Sequence, residues 1–176
     1  MILAEHRFSI EADKGVIAVH GGRGVPWSQS TLVQVHEAGA FADVDEGTHL
    51  WVITAHQWGP WDVTACILDG PPVAPEDDWE DVAEVSLTCG AGLYITEVID
   101  EGAGVTLDAA PGTYRVRVSA RGRAADWWEK EQEHPVEEGA RPPVEHYLIE
   151  AWLAPATPPE DLRESSTYAR VARGSV

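Results

Sequence analysis

Apolar and polar side chains alternate at a spacing of two residues along much of this chain. The alternation is clearest between Ala83 and Cys89, where small or aliphatic residues occupy every second position. Successive side chains of a β-strand point to opposite faces, so this period predicts a strand with one face in the core. We therefore expect residues 83–89 to form a half-buried antiparallel strand.

The same alternation predicts strands elsewhere in the chain. They are residues 8–12, 16–20, 49–56, 61–68, 93–99, 105–107, 113–120 and 146–153. Turn-forming residues at 13–15 predict that the first two form a hairpin, and residues 57–60 predict a second hairpin. Residues 69–78 contain three prolines, which predicts a loop. Residues 27–39 predict a short helix, and residues 121–143 a short helix with a loop.

These elements predict the fold class and the domain organisation. About eight short strands, little helix and no alternation of strand with helix are typical of an all-β protein, here an antiparallel β-sandwich with one or two short helices. We expect a single domain over residues 1–154. Beyond it the composition shifts to Ala, Pro, Ser and Thr, so residues 155–176 are expected to be a loosely held C-terminal tail.

The net charge excludes two classes of partner. The 176 residues carry 30 Asp and Glu against 12 Lys and Arg, a formal net charge of -18. Phosphate backbones and anionic lipid surfaces repel such a chain, so we expect neither nucleic acid nor a membrane as partner. No run approaches the roughly 20 apolar residues of a spanning helix. Two cysteines are too few for a disulfide framework, which favours a cytoplasmic location.

The negative charge is concentrated in one part of the chain. No Lys or Arg lies between Arg23 and Arg115, whereas residues 24–114 contain 16 Asp and Glu. Acids without neighbouring bases predict a negative surface that attracts cationic partners. An acidic surface also keeps a protein soluble, and that simpler explanation stays open.

Three arginines share one face of a predicted strand. Arg115, Arg117 and Arg121 alternate with apolar residues in the segment 113–121. Arginines in such a row, facing acids such as Glu84 or Glu150, more often form a salt-bridged solvent face than an anion site. We expect that arrangement here.

The residues predict no catalytic site, no metal site and no cofactor. The seven histidines share no metal-ligand spacing, although a site assembled from distant histidines stays open. Carboxylates are too numerous to select a general acid and a general base from them. Cys66 and Cys89 lie in predicted strands, where thiols are usually inert packing groups, and whether they pair is open. We therefore expect a protein that is not an enzyme.

A series of short motifs carries a family resemblance. It runs from a strand at 8–10 through Trp79-Glu80-Asp81, the strands 83–89 and 93–99, Val105-Thr106-Leu107-Asp108 and Gly112-Thr113-Tyr114 to Tyr147-Leu148-Ile149. Over roughly two-thirds of the chain, this order resembles the competence protein J family. Members of that family are small acidic proteins that inhibit a membrane-bound, competence-associated DNA-entry nuclease in bacilli. The resemblance implies a β-sandwich with an inhibitory function, and the Trp127-Trp128 insertion and the tail depart from it.

Charge and resemblance together predict a non-catalytic binding protein. It would be an inhibitor or immunity-type protein for a basic nuclease or toxin-like enzyme, with carboxylates where the enzyme expects phosphates and tryptophans as anchors. The residues expected to bind this partner are Asp77, Asp78, Trp79, Glu80 and Asp81, and secondarily Trp127, Trp128, Glu129 and Glu131. The oligomeric state is not predicted.

Two alternatives remain at this point. A small-ligand module, for example for carbohydrates, could stack its ligand on exposed tryptophans. The tryptophans outside predicted strands, which either cover an edge of the sandwich or anchor a partner, are Trp58, Trp79, Trp127 and Trp128. Those inside predicted strands, assigned to the core, are Trp51, Trp61 and Trp152. A hydrolase would instead need a concave site that holds a carboxyl group of raised pKa.

Overall fold

The computed structural model describes nine stretches of the chain. They are residues 1–10, 15–20, 23–24, 29–36, 49–56, 60–90, 92–97, 104–124 and 145–174. Their elements are β1 (Ile2–Ile10), β2 (Val16–His20), β3 (Arg23–Gly24), β4 (Val33–His36), β5 (His49–Ile53), β6 (Trp61–Leu68), β7 (Asp81–Cys89), β8 (Leu93–Glu97), β9 (Val105–Leu107), β10 (Gly112–Arg121), β11 (Glu145–Leu153), β12 (Glu160–Glu164) and the helix α1 (Thr167–Ala172). The all-β class predicted from the sequence is confirmed.

The larger of two sheets has seven strands. Six follow the order β1-β6-β11-β10-β7-β12, and β3 also pairs with β7. The pairs are antiparallel except β11 with β6, which run parallel from Glu145↔Trp61 to Trp152↔Leu68. The smaller sheet is antiparallel, in the order β4-β5-β2-β8-β9. The purely antiparallel arrangement expected from the sequence is therefore wrong at one pair.

The core lies between the two sheets. Apolar side chains from both sheets form one buried cluster, which includes Ile17, Leu50, Ile95, Trp61, Val63, Val85, Leu87, Val116 and Ile149. These residues alternate along their strands with residues of the opposite face, as the period of two requires. A second, smaller cluster of Cys66, Leu68 and Trp152 lies on the outer face of the larger sheet.

Both hairpins predicted from turn residues are wrong. β1 and β2 lie in different sheets, since β1 pairs with β6 whereas β2 pairs with β5 and β8. β5 and β6 are likewise divided between the sheets. A turn motif predicts that the chain reverses, but not whether the next strand pairs with the last one or lies across the core from it.

Residues 33–36 form a strand where the sequence predicted a helix. β4 pairs with β5 from Val33↔Val52 to His36↔His49. Its two β-branched valines favour extended backbone, and this pairing outweighs the weak helical spacing. Of the predicted helix 27–39, only residues 29–36 are described, and the predicted helix and loop over 125–143 lies outside the described residues.

Residues 160–174 are held against the larger sheet. β12 pairs with β7, and Ser166 caps α1 because its Oγ accepts a hydrogen bond from the Ala169 N–H at 2.9 Å. The expectation of a loosely held tail was based on composition alone and is wrong for these residues. The division between residues 1–154 and 155–176 stays a prediction. Among the described helices, none is long and apolar enough to span a membrane.

β7 is buried on both faces, not half-buried as predicted. Leu87 faces the core, and Val82 and Ser86 on the opposite face are buried as well. Ser86 is covered by the segment before β12, where the Thr157 N–H donates to its Oγ at 3.1 Å. The alternation was correct, but it could not reveal that a distant segment covers the second face.

Leu87→Ala tests the position of the core. Leu87 is fully buried, so its truncation should lower the free energy of unfolding by about 2 to 5 kcal/mol. Leu162→Ala makes the same chemical change on β12 at a residue that is 40% exposed, and should change it by less than about 0.5 kcal/mol. Urea denaturation measures the free energy of unfolding of both variants, provided that the m-value stays unchanged. Equal losses of stability in the two variants would contradict this placement of the core.

Candidate functional site

The predicted acidic site lies in the loop between β6 and β7 and in the first residue of β7. We call residues 76–81 the acidic loop. The side chains of Glu76, Asp77 and Asp78 are exposed, those of Trp79 and Glu80 are half-buried, and Asp81 is buried. The loop therefore divides into an outward part, residues 76–79, and an inward part, residues 80 and 81.

Arg163 of β12 fixes the outward part. Its Nη1 donates to the backbone carbonyls of Glu76 at 2.8 Å and of Trp79 at 2.7 Å. Its Nη2 lies 3.5 Å from the Asp77 carboxylate, whose side chain is fully exposed. The guanidinium thus holds the loop mainly by its backbone and leaves the Asp77 carboxylate in solvent.

Arg121 at the end of β10 packs against the middle of the loop. Its guanidinium pairs with Asp78 and lies over the Trp79 ring, 4.9 Å from the ring centroid. A cation over an indole face is attracted by the ring quadrupole. Arg121 therefore neutralises part of the Asp78 charge and covers one face of Trp79.

Asp81 points inward, which contradicts its predicted role in partner binding. Its carboxylate pairs with Arg123 and accepts hydrogen bonds from the Ser165 and Ser166 N–H groups at 2.9 and 3.0 Å. The Ser166 hydroxyl donates to it at 2.6 Å. A carboxylate with these internal partners and no exposed surface cannot contact a partner protein, because its environment is already closed.

Arg123 extends this pair into a buried network. It donates to the backbone carbonyls of Thr31 at 2.9 Å and of Ile53 at 3.0 Å, next to strands of the smaller sheet. The ring of Tyr168 in α1 lies 4.8 Å from its guanidinium carbon. One buried cation thereby contacts both sheets and the C-terminal helix.

Glu145, the first residue of β11, completes the network. Its carboxylate lies 3.9 Å from Arg123 Nε and accepts hydrogen bonds from the N–H groups of Ala55 at 3.0 Å and His56 at 2.7 Å. Tyr147 donates its hydroxyl proton to it, and burial followed by the Glu145 charge raises the pKa of this tyrosine well above its usual value. Burial alone lowers the pKa of Arg123, but the neighbouring Tyr147, Asp81 and Glu145 raise it overall.

The arginine row of β10 is salt-bridged, and two of its three members, Arg115 and Arg117, are buried. Arg115 Nε and Arg117 Nε both donate to Glu84, at 3.0 and 2.8 Å. Arg115 also donates to the Pro158 carbonyl, and Arg117 to the Val73 carbonyl. The predicted pairing with Glu84 is confirmed. The predicted solvent face is wrong at Arg115 and Arg117, because two loops cover them, whereas Arg121 is partly exposed.

These contacts also limit the predicted negative surface. Asp77, Asp78, Asp81 and Glu84 all come from the cation-free segment 24–114, yet each lies within ion-pair distance of an arginine from beyond it. The expectation that these acids stay unneutralised is wrong. No local motif indicates these pairs, since Arg123 and Arg163 lie more than 40 residues from their partners Asp81 and Asp77 in the chain.

The remaining predicted residues divide into described and undescribed ones. Trp127, Trp128, Glu129 and Glu131 lie outside the described residues, as does Trp58. Trp61 and Trp152 are buried as predicted, and Trp51 is half-buried.

Cys66 and Cys89 are unpaired and buried, and burial raises the pKa of each thiol to about 11. Within the described stretches, no group of three or more His, Cys, Asp and Glu could hold a metal ion.

Comparison with known proteins supplies a fold relationship. No protein-family model and no curated protein matches the chain. A crystal structure of ComJ from Bacillus subtilis, inhibitor of the DNA degrading activity of NucA, is 12% identical, with a TM-score of 0.51 over 88% of this chain and 99% of that chain. A structure of crocagin biosynthetic gene J is 16% identical, with a TM-score of 0.48 over 86% of this chain and 99% of that chain. The chain thus has a ComJ-like fold, as the strand motifs predicted.

Asp81→Ala tests the buried ion pair. The substitution leaves Arg123 buried without its main counter-charge, so the free energy of unfolding should fall by about 3 to 5 kcal/mol. Asp77→Ala removes an aspartate that also lies near an arginine, but in solvent, and should leave stability unchanged within error. Chemical denaturation measures both variants, and similar losses would show that burial does not distinguish the two pairs.

Glu150→Gln tests whether the ionised carboxylate of Glu150, beside Arg117, destabilises the fold. Burial raises the pKa of Glu150, the nearby Glu84 raises it further, and Arg117 opposes both. Because the pKa of Glu150 is higher in the folded than in the unfolded chain, its ionised carboxylate lowers the free energy of unfolding. Protonation of this carboxylate at acidic pH restores the lost stability. The variant should be more stable than the native chain at about pH 7, with a gain that shrinks towards about pH 4. Glu160→Gln, at an exposed residue of β12, is the control, and a loss of stability at neutral pH would contradict the argument.

Proposed function

We propose that the chain is a non-catalytic protein that binds a nuclease and inhibits it. The observation that carries this proposal is the fold it shares with ComJ, described as an inhibitor of the DNA degrading activity of NucA, over nearly the whole of both chains. The partner is expected to be basic, because a chain with a net charge of -18 attracts cationic surfaces and repels nucleic acid. The two unpaired cysteines support a cytoplasmic site of action.

The outward part of the acidic loop is the proposed binding surface. Glu76 and Asp77 present carboxylates to solvent, Asp78 presents one that it shares with Arg121, and Trp79 lies beside them. A nuclease binds the phosphates of its substrate with cationic groups, and carboxylates at a matching spacing occupy the same groups. Trp79 adds a flat aromatic contact of the kind that anchors protein interfaces.

Preorganisation favours this loop over a mobile acidic segment. Arg163 holds its backbone and Arg121 holds its indole ring, so little loop entropy is lost when a partner binds. Relative to the set predicted from sequence, the proposed surface gains Glu76 and loses Asp81, which is buried. It also loses Glu80, whose half-buried carboxylate accepts a hydrogen bond from the Arg123 N–H at 2.9 Å. Trp127, Trp128, Glu129 and Glu131 remain the proposed second part.

The ligand-binding alternative finds less support. A groove of about 610 Å³ on the outer face is lined by Trp152, Arg115, Glu84 and the segment before β12. Its polar groups already bind one another, as Arg115 donates to Glu84 and to the Thr157 and Pro158 carbonyls. A sugar would find few free partners there, so we do not propose this function.

DNA degradation in a native lysate tests the proposal directly. Plasmid DNA is incubated with lysate from the producing cells, with and without added purified chain, and the rate of cleavage is followed on gels. The chain should slow cleavage, and immobilised chain should deplete the DNA-degrading activity at low salt and release it at high salt. If the chain neither slows cleavage nor retains the activity, it does not inhibit a nuclease in those cells.

Asp77→Lys tests the surface. Reversing an exposed charge in the acidic loop should slow association with the captured nuclease several-fold at low salt, and the difference should shrink at high salt as charges are screened. Asp108→Lys makes the same charge change at an exposed residue outside the loop and serves as the matched control. Stopped-flow or surface-based kinetics measure both rates. Equal slowing would indicate that net charge alone, and not the acidic loop, determines association.

A further inference from the structure

β1 forms one edge of the larger sheet and leaves its outer side unpaired by any described strand. It pairs with β6 on its inner side, with a register irregularity between Ile2 and Ala4 and regular pairing from there to Ile10. Glu5, His6 and Arg7 in its middle are exposed. Ile2 and Leu3 at its start are exposed by 53% and 59%. The strand thus offers backbone donors and acceptors beside exposed apolar side chains.

Natural proteins usually protect such an edge. Common devices are a proline, charged side chains, a β-bulge, an inward-pointing charge or a short strand. β1 has nine residues and neither proline nor lysine, and its register irregularity lies between Ile2 and Ala4, before the regular part of the strand. Its two charged residues of opposite sign, Glu5 and Arg7, lie on the outer face, where Arg7 Nε donates to Glu5 at 2.9 Å. No described strand pairs with this side of β1, and its two opposite charges suit a strand of matching charge.

The sequence of β1 is complementary to itself. In an antiparallel pair of two β1 strands centred on His6, Glu5 of each copy lies opposite Arg7 of the other, and Ala4 lies opposite Phe8. Opposite charges directly across a strand pair stabilise it. Centring the pair on Glu5 or on Arg7 instead places like charges opposite each other, which is unfavourable. Of these three registers, only the one centred on His6 places Glu5 and Arg7 of each strand opposite a residue of opposite charge.

We propose that β1 pairs antiparallel with β1 of a second copy of this chain, centred on His6. The pairing joins the two seven-stranded sheets into one continuous sheet and places two Glu5–Arg7 pairs across the dyad. Ala4 and Phe8, which already pack against the core, extend that apolar row across the dyad. The acidic loop lies near the opposite edge, where β12 pairs with β7, so each copy keeps its proposed partner surface free.

Charge-reversal variants test the proposal. The native chain should form a dimer in sedimentation equilibrium at about 0.15 M salt, where the repulsion between two acidic chains is largely screened. Glu5→Arg and Arg7→Glu should each weaken dimerisation about tenfold, because two attractive pairs become repulsive. The double variant Glu5→Arg/Arg7→Glu restores opposite charges and should restore the native dissociation constant. Glu160→Arg, at the opposite edge, is the control for net charge and should not weaken it.

A cysteine at the dyad tests the register. His6→Cys places two thiols directly opposite each other, at the Cβ separation of strand neighbours that a disulfide can span, and should cross-link under mild oxidation. Ser9→Cys places its thiol opposite Leu3 and should not cross-link. The native thiols are buried and give little background. A native chain that stays monomeric, a dimer insensitive to both charge reversals, or cross-linking at residue 9 but not at residue 6 would overturn the proposal.

Discussion

The buried ion pair between Asp81 and Arg123 organises the rest of the molecule. Neither side chain is exposed, so each must be satisfied inside the protein. Arg123 does this through its Nη2, which donates to the Thr31 carbonyl just before β4 and to the Ile53 carbonyl at the end of β5, and Asp81 does it by binding the start of α1. The pair thereby fixes how the C-terminal segment lies on the larger sheet. Replacing Arg123 leaves the buried Asp81 carboxylate without its counter-charge, and replacing Asp81 leaves Arg123 with only the more distant Glu145.

Arginines that follow the cation-free segment determine which of its carboxylates face solvent. Glu84 is held by Arg115 and Arg117 and Asp81 by Arg123, whereas Arg163 binds mainly the loop backbone. The exposed negative surface consists of the carboxylates that these ion pairs do not neutralise. Net charge therefore overstates the number of acids available to a partner, and their positions depend on β10 and β12. A binding surface of this kind is shaped by its cations as much as by its carboxylates.

Local sequence patterns predicted strands well and their partners poorly. The bounds of β6 and β9 follow directly from the alternation, because side-chain period is a property of the strand itself. Pairing is not local: β12 joins β7 across about 80 residues, and β11 enters between β6 and β10. For the same reason Asp77 and Asp78 could be identified as exposed acids, but the burial of Asp81 could not. The Asp81 carboxylate is buried because Arg123 and Ser166 bind it, and no sequence motif indicates these contacts.

The parallel pair of β6 and β11 has a consequence for the order in which the molecule can form. Before β11 is made, the strands of the larger sheet can form only two separate fragments, β1 with β6 and β10 with β7 and β3. On the ribosome, both fragments emerge before residue 145, and their unpaired inner edges must wait for a strand made late in synthesis. Contacts of such high sequence separation slow folding and expose strand edges while it proceeds.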